Sequence, residues 1–213
     1  MSARQELPRL STVDALTRAL RERILEGDLP PGTPLREEAL AGEYAVARHS
    51  LRSALRSLQG EGLVQIQPNR GARVTMLSPE DVQGLSELRT AVEVEGARMA
   101  LERHGGTLPA EVHDAAERLA ALCRRSRPSW SAVAESHEGL HHRIVEAAGS
   151  ARLAAVHAQA GAELRLFVLQ LPASWTFERI AADHLRLVDE LEARGPEVLR
   201  PHIAESTRAL LEG

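Results

Sequence analysis

His137 and His141 stand four residues apart in a stretch that reads helical from about residue 130 to 148. That spacing puts both imidazoles on one stripe of a helix, where they can share one metal ion. His184, from another helical segment, can complete the face. His142 lies about 100° further round the wheel and points elsewhere. Three or four histidines with no carboxylate suit Zn²⁺, Ni²⁺ or Co²⁺ rather than the hard ions Mg²⁺ and Ca²⁺. The competing reading is of solvated or core histidines. Glu138, the one acid beside the stripe that could act as a general base, is expected to face away, and His104, His113 and His157 read as surface or packing residues.

The arginines are the second set. Arg89 and Glu93 form an i,i+4 pair, either a surface ion pair of little worth or a guanidinium turned inward to hold a ligand carboxylate bidentately. Arg165, flanked by Leu164, Leu166 and Phe167, is a weaker candidate of the same kind. Net charge is −4, unevenly spread: residues 1–75 carry 11 arginines against 9 acids, and residues 76–213 carry 15 against 21. Within 48–73 five arginines (48, 52, 56, 70, 73) meet the single acid Glu61. A basic patch in an acidic chain points to one face that meets an anion, DNA being the natural choice.

Composition excludes several classes. Cys123 is the only cysteine, so no intramolecular disulfide and no cysteine-rich zinc site is expected. No stretch approaches 18 consecutive apolar residues, and Met1–Leu10 lacks the apolar core of a signal peptide; a cytoplasmic protein without membrane contact is expected. Aromatic residues make up 2%, too few for a base-stacking surface for single strands. All 26 basic residues are arginine.

The elements that position these residues follow from periodicity. Val13–Glu26 reads as a helix with Leu16, Leu20 and Ile24 on one side, and the Leu29–Pro34 stretch, with three prolines and a glycine, reads as a loop. A short helix over about 36–44, a turn at Ala45-Val46 and a helix over about 47–61 follow. Leu63–Gln67 and Ala72–Thr75 read as strands joined by a turn at Pro68–Gly71. This is a winged helix-turn-helix, three helices plus a two-stranded wing. The third helix carries His49, Ser50 and Arg52 in its first turns, within reach of a major groove, and the wing tip carries Asn69, Arg70 and Gly71. Arg48 opens the same helix and Arg36 the helix before it.

Ser78-Pro79-Glu80-Asp81 combines a serine cap, proline at the first helical position and an acid three residues after the cap. It marks the expected boundary between domains 1–77 and 78–213. Beyond it six segments read helical, about 79–103, 109–126, 130–148, 151–171, 176–194 and 196–211, broken at Gly105-Gly106, Pro128, Gly149, Pro172 and Gly195-Pro196. The fold class is mostly α, with the second domain an antiparallel helical bundle.

The first 76 residues resemble the GntR family of winged-helix regulators. The match runs through Ile24–Thr33, Leu40-Ala41, Val46–Leu55, Leu58–Val64 and Asn69–Ala72. Ala45 stands where the family usually has glycine, Ala47 where it has serine or threonine, and Ser53 where it has glutamate; loss of the hydroxyl at Ala47 weakens one expected phosphate contact. The second half resembles the FadR-like branch, whose effector domain is called FCD, at Leu88–Glu93, Leu140-His141, Glu146–Ser150 and Asp183–Leu185. The resemblance implies a divalent metal held by one aspartate and three histidines. The aspartate position is His137, four residues before His141; His184 is the second histidine. The last falls on Ser206, with His202 one turn earlier. The expected metal ligands are therefore His137, His141, His184 and His202, with Zn or Ni as the ion, and the resemblance favours the inward reading of Arg89.

The expected function is a ligand-responsive regulator, a repressor, that binds a palindromic operator in double-stranded DNA as a homodimer and takes a small carboxylate effector in its helical domain. The rivals are a metal-dependent enzyme built on the bundle and a regulator with a metal-free or merely structural bundle.

Overall fold

A computed structural model describes residues 11–67, 70–171 and 174–212. Contacts divide the chain into two compact units, Met1–Met76 and Leu77–Gly213. The turn residues Pro68 and Asn69 and the break at Pro172 lie outside the described residues.

In the first unit, α1 (Thr12–Leu25) starts from a capping box in which the Ser11 hydroxyl accepts from the Asp14 amide and the Asp14 carboxylate accepts from the Ser11 amide. Its face of Leu16, Leu20 and Ile24 is buried, against α3 (Arg48–Gly60), which buries Leu51, Ala54, Leu55 and Leu58. Arg21 clamps the pair, donating from Nε and Nη2 to both oxygens of Glu61 at 2.6 and 2.7 Å. Between them lies the short α2 (Glu37–Glu43).

The wing hairpin is β2 (Val64–Gln67) with β3 (Gly71–Val74). The expected two strands are in fact three. Pro34–Leu35, at the end of the proline loop, forms β1 on the other edge of β3, giving the antiparallel order β1-β3-β2. Pro34 can sit there because β1 is an edge strand whose proline has no ladder donor to lose, while Leu35 is buried as the strand's anchor. A two-residue strand has no alternation to read, so the sequence pattern is silent on it.

In the second unit, α4 (Pro79–Arg103) begins with the Ser78–Asp81 capping box and Pro79 at its first position. Then come α5 (Ala110–Cys123), α6 (Trp130–Ala147), α7 (Ala151–Leu169) and α8 (Phe177–Arg194). The expected last helix is divided: Gly195 breaks the chain at φ 89°, Pro196–Val198 makes a 3₁₀ turn, and α9 runs from Leu199 to Glu212. Helix α6 packs against α4, α5 and α7 and so forms the middle of the bundle. Its Leu140 and Ile144 belong to a core shared with Leu119, Leu187, Leu191 and Ile203. Helices α4 and α6 approach closely at Gly96, where an added methyl would come within 3.2 Å of the Val145 Cα.

Candidate functional site

Two surfaces have the chemistry expected from the sequence. On the first unit, α3 exposes Arg48, His49, Arg52 and Arg56, while Ser50 is half-buried. Arg48, Arg52 and Arg56 repeat at i,i+4 and share one stripe. The sequence did not reveal that two of these cations already have partners: Arg48 Nη2 donates to Glu38 Oε1 at 2.5 Å and Arg52 Nε to Glu37 Oε2 at 2.7 Å. Both acids lie in the first turn of α2. Ala47 caps α3 without a side-chain hydrogen bond, so the first amides of that helix keep their capacity for an anion. Ala45, in the turn between α2 and α3, has φ +50°, a left-handed conformation that glycine adopts without the Cβ penalty. Arg36 is exposed at the start of α2; at the wing, Arg70 and Gly71 are exposed, and Gly71 has φ +77°. Asn69 lies outside the described residues.

On the second unit the four expected histidines come together from three helices. Ring centroids lie 4.8 Å apart for His137 and His141, 4.5 Å for His137 and His184, 4.8 Å for His184 and His202, and 5.4 Å for His141 and His202. His137, His141 and His184 are buried and offer ligand atoms all within 4.8 Å of one another. His202 is half-buried, with one side toward a surface groove beside Asp183 and Glu205. The position one turn later is spent otherwise, because the Ser206 hydroxyl donates to the Ile203 carbonyl of its own helix at 3.0 Å.

Tautomers follow from the acceptors. His184 Nδ1 is 2.8 Å from the Ile180 carbonyl, which can only accept, so the proton is on Nδ1. His141 Nδ1 is 2.8 Å from Glu93 Oε2 and likewise donates. In neutral imidazoles the Nε2 atoms are then bare, and these two lie 3.3 Å apart with no proton to share. His137 Nδ1 is buried without a hydrogen-bond partner among the described residues. Burial, then the neighbouring His141, drive His184 down to about 3, and burial likewise holds His137, His141 and His202 below the ordinary imidazole value.

Glu93 is the residue that sequence reasoning missed. It is fully buried and accepts from Arg89 Nε at 2.8 Å as well as from His141. Burial alone would push its carboxyl up; the Arg89 guanidinium and His141 outweigh this and hold it well below the carboxylate range. Arg89 is itself buried and turned inward. The i,i+4 spacing of Arg89 and Glu93 carried the signal for the pair, but not for its position beside the histidines. His157 is also buried, 3.5 Å from Glu93 Oε1 through Nε2, and is not a surface residue. Glu138 does not face away. It lines a narrow cleft with Arg89, His137, His141, Leu164 and Phe167 that, as it stands, has no room for a water molecule. Arg165 is absent from that cleft and points its Nη1 toward Glu135 at 3.9 Å.

The donor set fits a borderline-soft divalent ion. Two nitrogens bound to one tetrahedral ion at about 2.0–2.1 Å lie about 3.3 Å apart, and the two bare Nε2 atoms have that separation. Glu93 and the Ile180 carbonyl already provide the outer hydrogen bonds that orient ligating histidines.

Comparison with known proteins places these surfaces in context. Residues 12–74 match the model of bacterial regulatory proteins of the gntR family, and residues 84–208 match that of the FCD domain. The chain is 30% identical over 209 residues to the uncharacterized HTH-type transcriptional regulator BphR of Paraburkholderia xenovorans strain LB400, covering 92% of this chain and 84% of that protein. It is 26% identical over 200 residues to a probable D-xylose utilization operon transcriptional repressor of Paenarthrobacter nicotinovorans, covering 88% and 82%. A crystal structure of a putative GntR transcriptional regulator from Rhodococcus sp. RHA1 shares the fold, with a TM-score of 0.74 at 23% identity over 94% of this chain and 98% of that one. The relatives are transcriptional regulators, not enzymes, and among the described residues no helix is long and apolar enough to cross a membrane. The chain belongs to the GntR family of transcriptional regulators, in the branch that joins a winged helix-turn-helix to an FCD domain.

Proposed function

We propose that the chain is a repressor that binds a palindromic operator as a homodimer through residues 1–77. Residues 78–213 would hold a divalent transition metal and a small carboxylate effector. The observation that carries the metal is the 3.3 Å separation of two bare Nε2 atoms on His141 and His184. Bare lone pairs facing each other in a buried site cost free energy, and a cation resolves the conflict. His137 and His202 supply the remaining nitrogens, and the metal, when bound, supplies a positive centre for an anionic effector. Zn²⁺ or Ni²⁺ suits an all-imidazole set.

On the DNA side, Arg48, His49, Ser50 and Arg52 meet the major groove, and Arg36, Asn69, Arg70 and Gly71 hold the backbone. Arg89 is the effector contact. Two of its nitrogens face Glu93 and it lines the closed cleft, so an entering carboxylate must displace side chains there. Arg165 is a minor contact at best, since it faces Glu135. Elemental analysis of the purified protein, followed by zinc titration of the stripped form, tests the reading. A bound equivalent that disappears when His141 and His184 are both replaced by alanine supports it; protein that neither carries nor takes up metal refutes the metal site.

A further inference from the structure

His142, His157 and Glu138 take no part in the four-histidine cluster. His142 follows His141 on α6, turned about 100° round the helix toward α7. There its Nδ1 stands 3.3 Å from the Nδ1 of His157. The outer nitrogen of each ring faces a carboxylate: His142 Nε2 is 3.4 Å from Glu146 Oε1, and His157 Nε2 is 3.5 Å from Glu93 Oε1. Both are ion-pair distances rather than hydrogen bonds, and His157 Nε2 is buried with no hydrogen-bond partner among the described residues. The two Nδ1 atoms oppose each other at a separation close to the roughly 3.3 Å between nitrogens sharing one tetrahedral ion.

A third donor stands beside them. Glu138 lies one turn before His142, and the three side chains offer ligand atoms within 4.8 Å of one another. Helix α7 makes room for this carboxylate: Gly161, one turn after His157, would with an added methyl come within 3.0 Å of Glu138 Oε1. The glycine thus lets a charged group lie over bare backbone on the helix face that carries His157.

We infer that Glu138, His142 and His157 form a second transition-metal site, distinct from the four-histidine cluster and held between α6 and α7. Two imidazoles and one carboxylate suit Zn²⁺, Co²⁺ or Fe²⁺ better than Mg²⁺ or Ca²⁺. Glu138 and His142 are half-buried, which leaves a route for the ion and a position for water. Glu93 is the common neighbour, touching His141 with one oxygen and His157 with the other.

The test is the metal stoichiometry of the full-length chain, stripped and then titrated with Zn²⁺, and with Co²⁺ read by its visible absorption. Wild type is expected to bind two equivalents. His142→Gln and Glu138→Gln, both at half-buried positions where the fold tolerates change, should each bind one, with thermal melting confirming that they fold. His141→Ala combined with His184→Ala should also bind one, and that equivalent should vanish when His142→Gln is added. Gly161→Ala should weaken the same equivalent by crowding Glu138. A wild-type stoichiometry unaltered by either His142→Gln or Glu138→Gln overturns the second site. A single equivalent lost with His142→Gln but kept in the His141/His184 double variant supports it and refutes the four-histidine reading instead; no uptake at all overturns both.

Discussion

The Nε2 atoms of His141 and His184 face each other at 3.3 Å while both Nδ1 atoms donate elsewhere. Each ring is thereby fixed in one tautomer and one orientation, the preorganisation that a metal-ligand set would require.

This arrangement should make the metal-free protein acid-labile. The cluster histidines have folded values below the unfolded imidazole value near 6.5, so the unfolded state binds more protons as pH falls and stability drops with it. Their contribution is complete above about pH 6.5 and declines toward the folded value; for His184, held at about 3, the loss is on the order of 1 kcal/mol by pH 5.5. Glu93, also depressed, adds to the loss below the ordinary carboxylate range. Scanning calorimetry of stripped protein from pH 7.5 to 5.5 should show a falling Tm for the helical unit. A flat profile would mean that the histidines do not need to be neutral in the fold.

Replacing His141 and His184 together by alanine should abolish the equivalent held by the four-histidine cluster and blunt the effector response. Operator binding by the ligand-free protein should stay nearly unchanged, because the substitutions lie in the second unit. Fluorescence anisotropy on an operator duplex, alongside metal analysis, checks this; loss of DNA binding in a variant that still folds would contradict the division of labour.

Arg52→Ala should weaken operator binding by about 1–3 kcal/mol and leave the melting of the helical unit alone. Because Glu37 holds Arg52 in the free protein, Glu37→Gln should act the other way, freeing the cation and removing a charge that repels phosphate. Wild-type affinity should fall with salt at a log–log slope of about −5 to −7 for a dimer making three or four phosphate contacts per subunit. A slope near zero would remove the arginine face from the account.

Two small changes should improve the first unit. Ala45 has φ +50°, so Ala45→Gly relieves strain and should stabilise by up to about 1 kcal/mol. Ala47→Ser supplies the missing cap of α3, worth about 1 kcal/mol, and restores a hydroxyl for phosphate, so it should also tighten DNA binding. Urea titration of both variants decides; destabilisation by either refutes the local account.

Arg89→Ala should cost about 3–5 kcal/mol, since it leaves the fully buried Glu93 without its guanidinium. A loss below 1 kcal/mol in chemical denaturation would show that Glu93 is not a buried anion. Arg89→Ala with Glu93→Gln should recover most of the loss, and that double variant, rather than the single one, suits effector-binding measurements.

Much of this was legible in the sequence because it is local. The Ser78–Asp81 box starts α4 where expected, the leucines of α3 face inward together, and the His137–His141 stripe needs only helical spacing. What escaped depends on how helices cross. Glu93 meets His141 across 48 residues and His157 across 64, and no periodicity within α4 announces either. The pairing of Arg48 and Arg52 with Glu38 and Glu37 depends on the angle between α2 and α3. The wheel correctly turned His142 off the stripe, but only the position of α7 shows what it turns toward.

The close approach at Gly96 has a mechanical consequence. Gly96 has no side chain to rotate out of the way, and both the Cα and the side chain of Val145 close against it. A side chain at position 96 would therefore have to push α4 and α6 apart by a few tenths of an ångström. At 1.5 Å per residue, Arg89 lies about 10 Å from that contact along the same helix.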